Sequence, residues 1–282
     1  MRWKGRRGSQ NIEDRRRKTV RGGGGLGIVG ILVVLGLGYV LGIDVTPLLQ
    51  QEGGLTVEQG SVELTDADER MGQFVSVALA DTEEIWATIF ERQVGRAYDP
   101  AVLVLFKGVT ASPCGNASGA TGPFYCPADE KIYLDTNFFT TLERKMGAGG
   151  DFAAAYVVAH EVAHHVQHEL GVLGEANRLR QQLSRSEANA VSVRIELQAD
   201  CYSGLWARLA QERFGTLERG DIAEAMNAAK QIGDDILQRN AGRVPQPHTF
   251  THGTSEQRQR WFARGFENGD ILACDTFSAE RL

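Results

Sequence analysis

The sequence predicts a mainly helical α+β domain with a small sheet, preceded by one transmembrane helix. Three observations carry this expectation. Residues 26–43 contain no charged side chain. Beyond residue 66, apolar positions recur at helical spacing in successive long runs. Between those runs stand two short apolar segments, AVLVLF at 101–106 and KIYLD at Lys131–Asp135, which read as strands.

The amino-terminal end is basic. Residues 1–21 hold nine Lys and Arg against Glu13 and Asp14, whereas the whole 282-residue chain carries a net charge of −6. Eighteen apolar or glycine residues at 26–43 would span roughly 27 Å as a helix, close to a bilayer's hydrocarbon thickness. Arginines before the segment orient the amino terminus toward the cytoplasm. The expected layout is therefore a cytoplasmic tail (1–25), a signal anchor in the lipid bilayer (26–43), a linker (44–65) and an extracytoplasmic domain (66–282). A cleaved signal peptide fits less well, because no small-x-small site follows closely. With the excess of positive charge confined to the tail, no nucleic-acid partner is expected.

Within the domain, Asp66 reads as the cap of a helix whose apolar positions run from Met71 to Phe90, with a break near Asp81. A short helix is expected over 137–146. Asp151 is expected to cap a helix ending at Gly171. Further helical runs cover 175–210, 221–241 and 255–268, with a proline-containing loop before the last. The four cysteines allow three pairings. Cys114 and Cys126 bracket a Gly/Ser/Pro-rich loop, which favours that bridge and leaves Cys201–Cys274.

AYVVAHEVAHHVQHEL (155–170) holds four of the chain's six histidines. His160 and His164 are i and i+4 on one helix face, with Glu161 after the first. This is H-E-x-x-H, in which two imidazoles grip a Zn2+ ion and the glutamate takes a proton from water. The frame starting at His164 fails, because His165 stands where the glutamate must be. His165 and His168 are therefore ordinary helix residues, and His248 a loop histidine. A catalytic zinc site takes three protein ligands and keeps one position open. Glu196 and Asp200, i and i+4 on a second apolar helix, supply the best candidates: Glu196 as third ligand, Asp200 as acceptor of a ligand imidazole's distal N–H.

AHEVAHHVQ followed by ELQADC is similar to the gluzincin metallopeptidases. The order MRWKGRR, GPFYCPAD, IYLD, AHEVAHHVQ, ELQADC, IGDD and FTHGTSEQR resembles the bacterial putative neutral zinc metallopeptidase family of single-pass membrane proteins. The resemblance implies a zincin-like domain with one Zn2+ and a peptide or protein substrate. It also implies that Lys131–Asp135 is an edge strand pairing with an extended peptide. His252 would donate to the oxyanion, with Arg258 holding its loop. Two other readings remain: a zinc-binding scaffold without proteolytic activity, and a zinc amidase acting on the cell envelope.

Overall fold

The computed structural model describes residues 1–20, 59–61, 63–118 and 122–282. Helix α1 (Asp66–Ile89) opens with a capping box. The Thr65 hydroxyl accepts the Asp68 N–H, and the Asp68 carboxylate accepts the Thr65 N–H at 3.0 Å. The cap is therefore Thr65, not Asp66, and the helix runs through Asp81 unbroken. It closes in a π-turn (Phe90–Val94) before Gly95, whose φ of 82° is the left-handed conformation that ends a helix.

Four strands build the main sheet in the order β1 (Ile12–Asp14), β4 (Val102–Phe106), β8 (Lys131–Asp135) and β7 (Phe124–Cys126). The first three run parallel and β7 pairs antiparallel with β8. The two-residue period of a strand divides β4 between two cores. Leu103 and Leu105 join the main helical core, while Val104 and Phe106 join a smaller cluster with Tyr133 and Cys126. The hairpin β5 (Val109–Ser112) and β6 (Gly115–Ser118) adds Ala117 to that second cluster. The Cys114–Cys126 bridge ties the hairpin to β7. Lys131–Asp135 is thus an inner strand, and the edge belongs to β7.

After the short helix α2 (Asn137–Arg144) comes α3 (Asp151–Glu169), the centre of the molecule. From Phe152 to Val166 only His164 is less than fully buried, the pattern of a helix enclosed on all sides. Its N-cap is Gly150 rather than Asp151, and the free Phe152 N–H is met at 3.0 Å by Glu224 from a distant helix. A Cβ on Gly150, whose φ is 116°, would lie 2.1 Å from that carboxylate. The run expected over 175–210 divides into α4 (Val172–Arg180) and the 30-residue α5 (Arg185–Phe214). The run after Asp221 divides into α6 (Asp221–Gln231) and α7 (Asp234–Asn240). Helix α8 (Ser255–Asn268) follows a Thr254–Gln257 capping box.

Helices α5 and α8 lie backbone to backbone. A Cβ at Gly204 would stand 2.0 Å from the Phe262 carbonyl oxygen, and one at Gly265 would stand 1.9 Å from the Cys201 carbonyl oxygen. The second bridge, Cys201–Cys274, pins the carboxy-terminal segment to α5. Both expected disulfides are present.

The expected membrane layout requires correction. The proposed span, 26–43, lies outside the described residues. Among the described residues no helix is long and apolar enough to cross a membrane. The amino-terminal residues, expected across a bilayer from the domain, are part of it: β1 hydrogen-bonds to β4 in the same sheet. Strand β2 (Lys18–Val20) pairs with β3 (Gln59–Ser61), inside the stretch expected to be linker. A cytoplasmic tail and an extracytoplasmic domain cannot share a β-sheet, so this pairing points against the expected single-pass layout. The basic charge has another use. Arg6 pairs with Asp81, Arg7 with Glu83, and Arg17 with Glu69. The Met1 ammonium lies 3.2 Å from Asp221 and 3.1 Å from Glu218.

Gly204→Ala should lower folding stability by about 1–3 kcal/mol, because α5 and α8 must separate to admit a methyl group. Urea denaturation measures this; an unchanged midpoint would show that the helices do not meet there.

Candidate functional site

Helical spacing sets His160 and His164 one turn apart on α3, with their ring centroids 4.8 Å apart. Helix α5 presents Glu196 to both. His160 Nε2 lies 3.2 Å from Glu196 Oε2, and His164 Nε2 lies 3.5 Å from Glu196 Oε1. The donor atoms of these three side chains fall within 4.8 Å of one another. All three line a cleft of about 1110 Å³, with Glu161, His252 and the edge-strand residue Tyr125.

The outer partners decide which ring nitrogen faces the cleft. His160 Nδ1 lies 3.0 Å from Asp200 Oδ1, and His164 Nδ1 lies 2.9 Å from Gln167 Oε1. The His164 Nδ1 proton directed to Gln167 leaves that ring's Nε2 lone pair for the cleft, while His160 Nδ1 faces Asp200 without completing a hydrogen bond. Two neutral imidazoles and a carboxylate form a donor set suited to Zn2+. Burial alone would lift the Glu196 carboxyl, but His164, His160 and His252 outweigh it and hold it well below the usual range. Burial also opposes charge on His160; Asp200 and Glu196 nevertheless push it up to about 9. A proton on that ring competes with a metal for the same lone pair.

Glu161 points into the site from a buried position. Burial raises its pKa, with the His164 and His160 rings opposing. Its Oε2 has no hydrogen-bond partner among the described residues. An orphaned carboxylate oxygen beside a metal-type donor set is placed to accept a proton from water.

Asp200 is fully buried and held from two other helices. Arg258 on α8 meets it twice at 2.9 Å, through Nε and Nη2, and the Tyr156 hydroxyl on α3 donates at 2.5 Å. Burial disfavours its charge, yet Arg258 and His160 hold its pKa below the ordinary value. The Arg258 guanidinium, expected to hold the loop of His252, hydrogen-bonds Asp200, the Tyr156 hydroxyl and the Ile232 carbonyl oxygen. That loop is gathered by Asp234, whose Oδ2 accepts the backbone N–H of Thr251 (2.7 Å), His252 (2.6 Å) and Gly253 (3.1 Å). Asp234 Oδ1 lies 3.2 Å from His252 Nδ1 and raises that ring's pKa, burial opposing.

His165 faces the other way. Its Nε2 donates to the Asp99 carbonyl oxygen at 2.7 Å, its Nδ1 lies 3.3 Å from the Tyr125 hydroxyl, and burial lowers its pKa. It ties α3 to β7. His168 lies at the rim 3.5 Å from Glu130, and exposed His248 contributes only its carbonyl, to Asn189. Sequence reasoning missed Tyr156, Gln167 and Asp234. Tyr156 and Gln167 stand four before His160 and three after His164, a spacing that placed them on the metal face. Asp234 carries no such local signal.

Residues 1–277 match the profile of the family described as putative neutral zinc metallopeptidase. The chain is 44% identical over 288 residues to uncharacterized protein YpfJ of Escherichia coli strain K12, covering 98% of this chain and 99% of that one. It is 46% identical over 188 residues to uncharacterized protein Rv2575 of Mycobacterium tuberculosis strain H37Rv, covering 63% and 62% of the two chains. No solved structure matches it significantly.

Arg258→Met should destabilise the fold by about 3–5 kcal/mol in urea denaturation, because Asp200 is left buried without its counter-charge. Undiminished stability would mean that Asp200 does not depend on that guanidinium.

Proposed function

The chain belongs to the putative neutral zinc metallopeptidase family, and from that premise we propose that it is a zinc-dependent endopeptidase with Glu161 as general base. The observation that carries this reading is the convergence of His160 Nε2, His164 Nε2 and the Glu196 carboxylate beside the unpartnered Glu161. These three residues would hold one zinc ion, leaving one position open to the cleft. Bound there, the ion would polarise a peptide carbonyl and lower the pKa of water.

The remaining roles belong to the protein. Glu161 accepts the proton of the attacking water and passes it to the leaving amine, and burial raises its basicity. His252, oriented through Nδ1 by Asp234, presents its other ring nitrogen to the cleft and donates to the oxyanion. Asp200 fixes the His160 ring, and is itself fixed by Arg258 and Tyr156. The edge strand β7, not β8, offers its backbone to an extended peptide, since the cleft is lined by Phe124 and Tyr125. The helix pair and edge strand support a zincin-like arrangement.

Glu161→Gln should keep stoichiometric zinc while hydrolysis of a casein-type substrate falls by about 10²–10⁴-fold. Full activity in that variant would remove Glu161 from the chemistry. Glu196→Ala should lose zinc on dialysis, read by metal analysis. Retained stoichiometric zinc would move the third ligand elsewhere.

A further inference from the structure

The two imidazoles of the site are supported by unlike partners. His160 leans on a charged carboxylate clamped by Arg258, whereas His164 leans on a neutral amide. That amide opens a buried chain of hydrogen bonds. Gln167 Oε1 faces His164 Nδ1 at 2.9 Å, and Gln167 Nε2 donates to the Ile195 carbonyl oxygen (2.8 Å) and to Gln198 Oε1 (3.0 Å). Gln198 Nε2 donates in turn to the Cys274 carbonyl oxygen at 3.2 Å. Gln167 is 0% exposed, Gln198 6% and Cys274 0%, so water does not compete for these groups.

The direction of the chain follows from donors and acceptors alone. A backbone carbonyl only accepts, so the amide nitrogen of Gln198 must face Cys274 and its oxygen must face Gln167. Gln167 then spends both N–H groups, on Gln198 and Ile195, and can offer His164 only an oxygen. His164 must therefore carry its proton on Nδ1 and keep the Nε2 lone pair toward the cleft. Every hydrogen bond points the same way, from the imidazole to the Cys274 carbonyl, the arrangement in which neighbouring bonds reinforce one another. The acceptor end is immobilised: Cys274 is bridged to Cys201 on α5, and the nearby Thr276 hydroxyl donates to the Arg194 carbonyl oxygen at 2.7 Å.

We propose that Gln167 and Gln198 are positioning residues, a neutral amide relay that sets the His164 tautomer from the Cys274 carbonyl and thereby raises the affinity for zinc. Gln198 touches neither imidazole, so its effect on the metal must pass through Gln167. The proposal rests on the zinc reading above for its metal arm, while the tautomer can be read without metal.

The test uses the full chain and two measurements. In metal-free protein, nitrogen-15 NMR of the histidine rings should show His164 as the Nδ1–H tautomer. Gln198→Leu should convert it to a mixture, as should Gln198→Met, which serves if the leucine variant folds poorly. Zinc affinity, from competition with a chromophoric chelator, should fall about 10–100-fold in Gln167→Leu. It should fall less, but in the same direction, in Gln198→Leu, with thermal unfolding of the metal-free variants confirming that each is folded. A folded Gln198→Leu or Gln198→Met variant with wild-type tautomer and affinity would overturn the relay. A wild-type chain that binds no zinc at all would overturn the zinc reading and the proposal's metal arm together. A wild type that binds zinc but lacks the Nδ1–H tautomer would overturn the relay alone.

Discussion

A carboxylate with no access to solvent must be surrounded by donors or give up its charge. Asp200 meets this condition with partners drawn from separate helices: His160 and Tyr156 on α3 and Arg258 on α8, while the carboxylate itself stands on α5. The three helices can therefore assemble in only one relative placement without stranding a charge. That placement brings Glu196, one turn before Asp200, opposite His160 and His164. The Gly204–Phe262 and Gly265–Cys201 contacts hold α8 against α5 in the placement from which Arg258 reaches Asp200. The site geometry is thus a consequence of how one buried negative charge is neutralised.

The sheet supplies the opposite wall under a different constraint. Strand β4 is apolar on both faces, so it needs cover on both sides and neighbours on both edges. Strand β1 fills one edge from the amino-terminal end, and β8 fills the other, displacing the edge to β7. The β5–β6 hairpin, held by Cys114–Cys126, covers the far face. His165 then links β7 to α3 through Tyr125 and Asp99, which fixes the cleft between a helix and a strand edge.

What could be read in advance was local, and what could not was long-range. His160, Glu161 and His164 follow from the helical repeat alone. Glu196 and Asp200 follow from the same repeat, together with the cost of two carboxylates on an apolar helix. The cysteine pairing followed from loop composition. Strand order did not, because β4 and β8 pair by tertiary contact and nothing in KIYLD says which neighbour takes its second edge. The basic amino-terminal run misled for a physical reason. Arginines before an apolar stretch carry the same local signature whether they face a membrane surface or remote acidic residues. Only the positions of Asp81, Glu83 and Glu69 in space distinguish the two. The role of Asp234, within the IGDD segment, was unreadable for a like reason: its three backbone partners lie 17 to 19 residues on.

The docking of the amino-terminal residues also has a temporal side. Ile12 pairs with Leu103, and the Met1 ammonium meets Asp221 at a separation of 220 residues. On a ribosome adding about 5–20 residues per second, the earliest residues wait on the order of 10–40 s for that last partner. Loop-closure entropy makes such distant pairings late steps in folding. Until β4 is made the arm has no strand partner, and its arginines favour water over pairing with other chains. The arm therefore completes the sheet through contacts that span most of the chain.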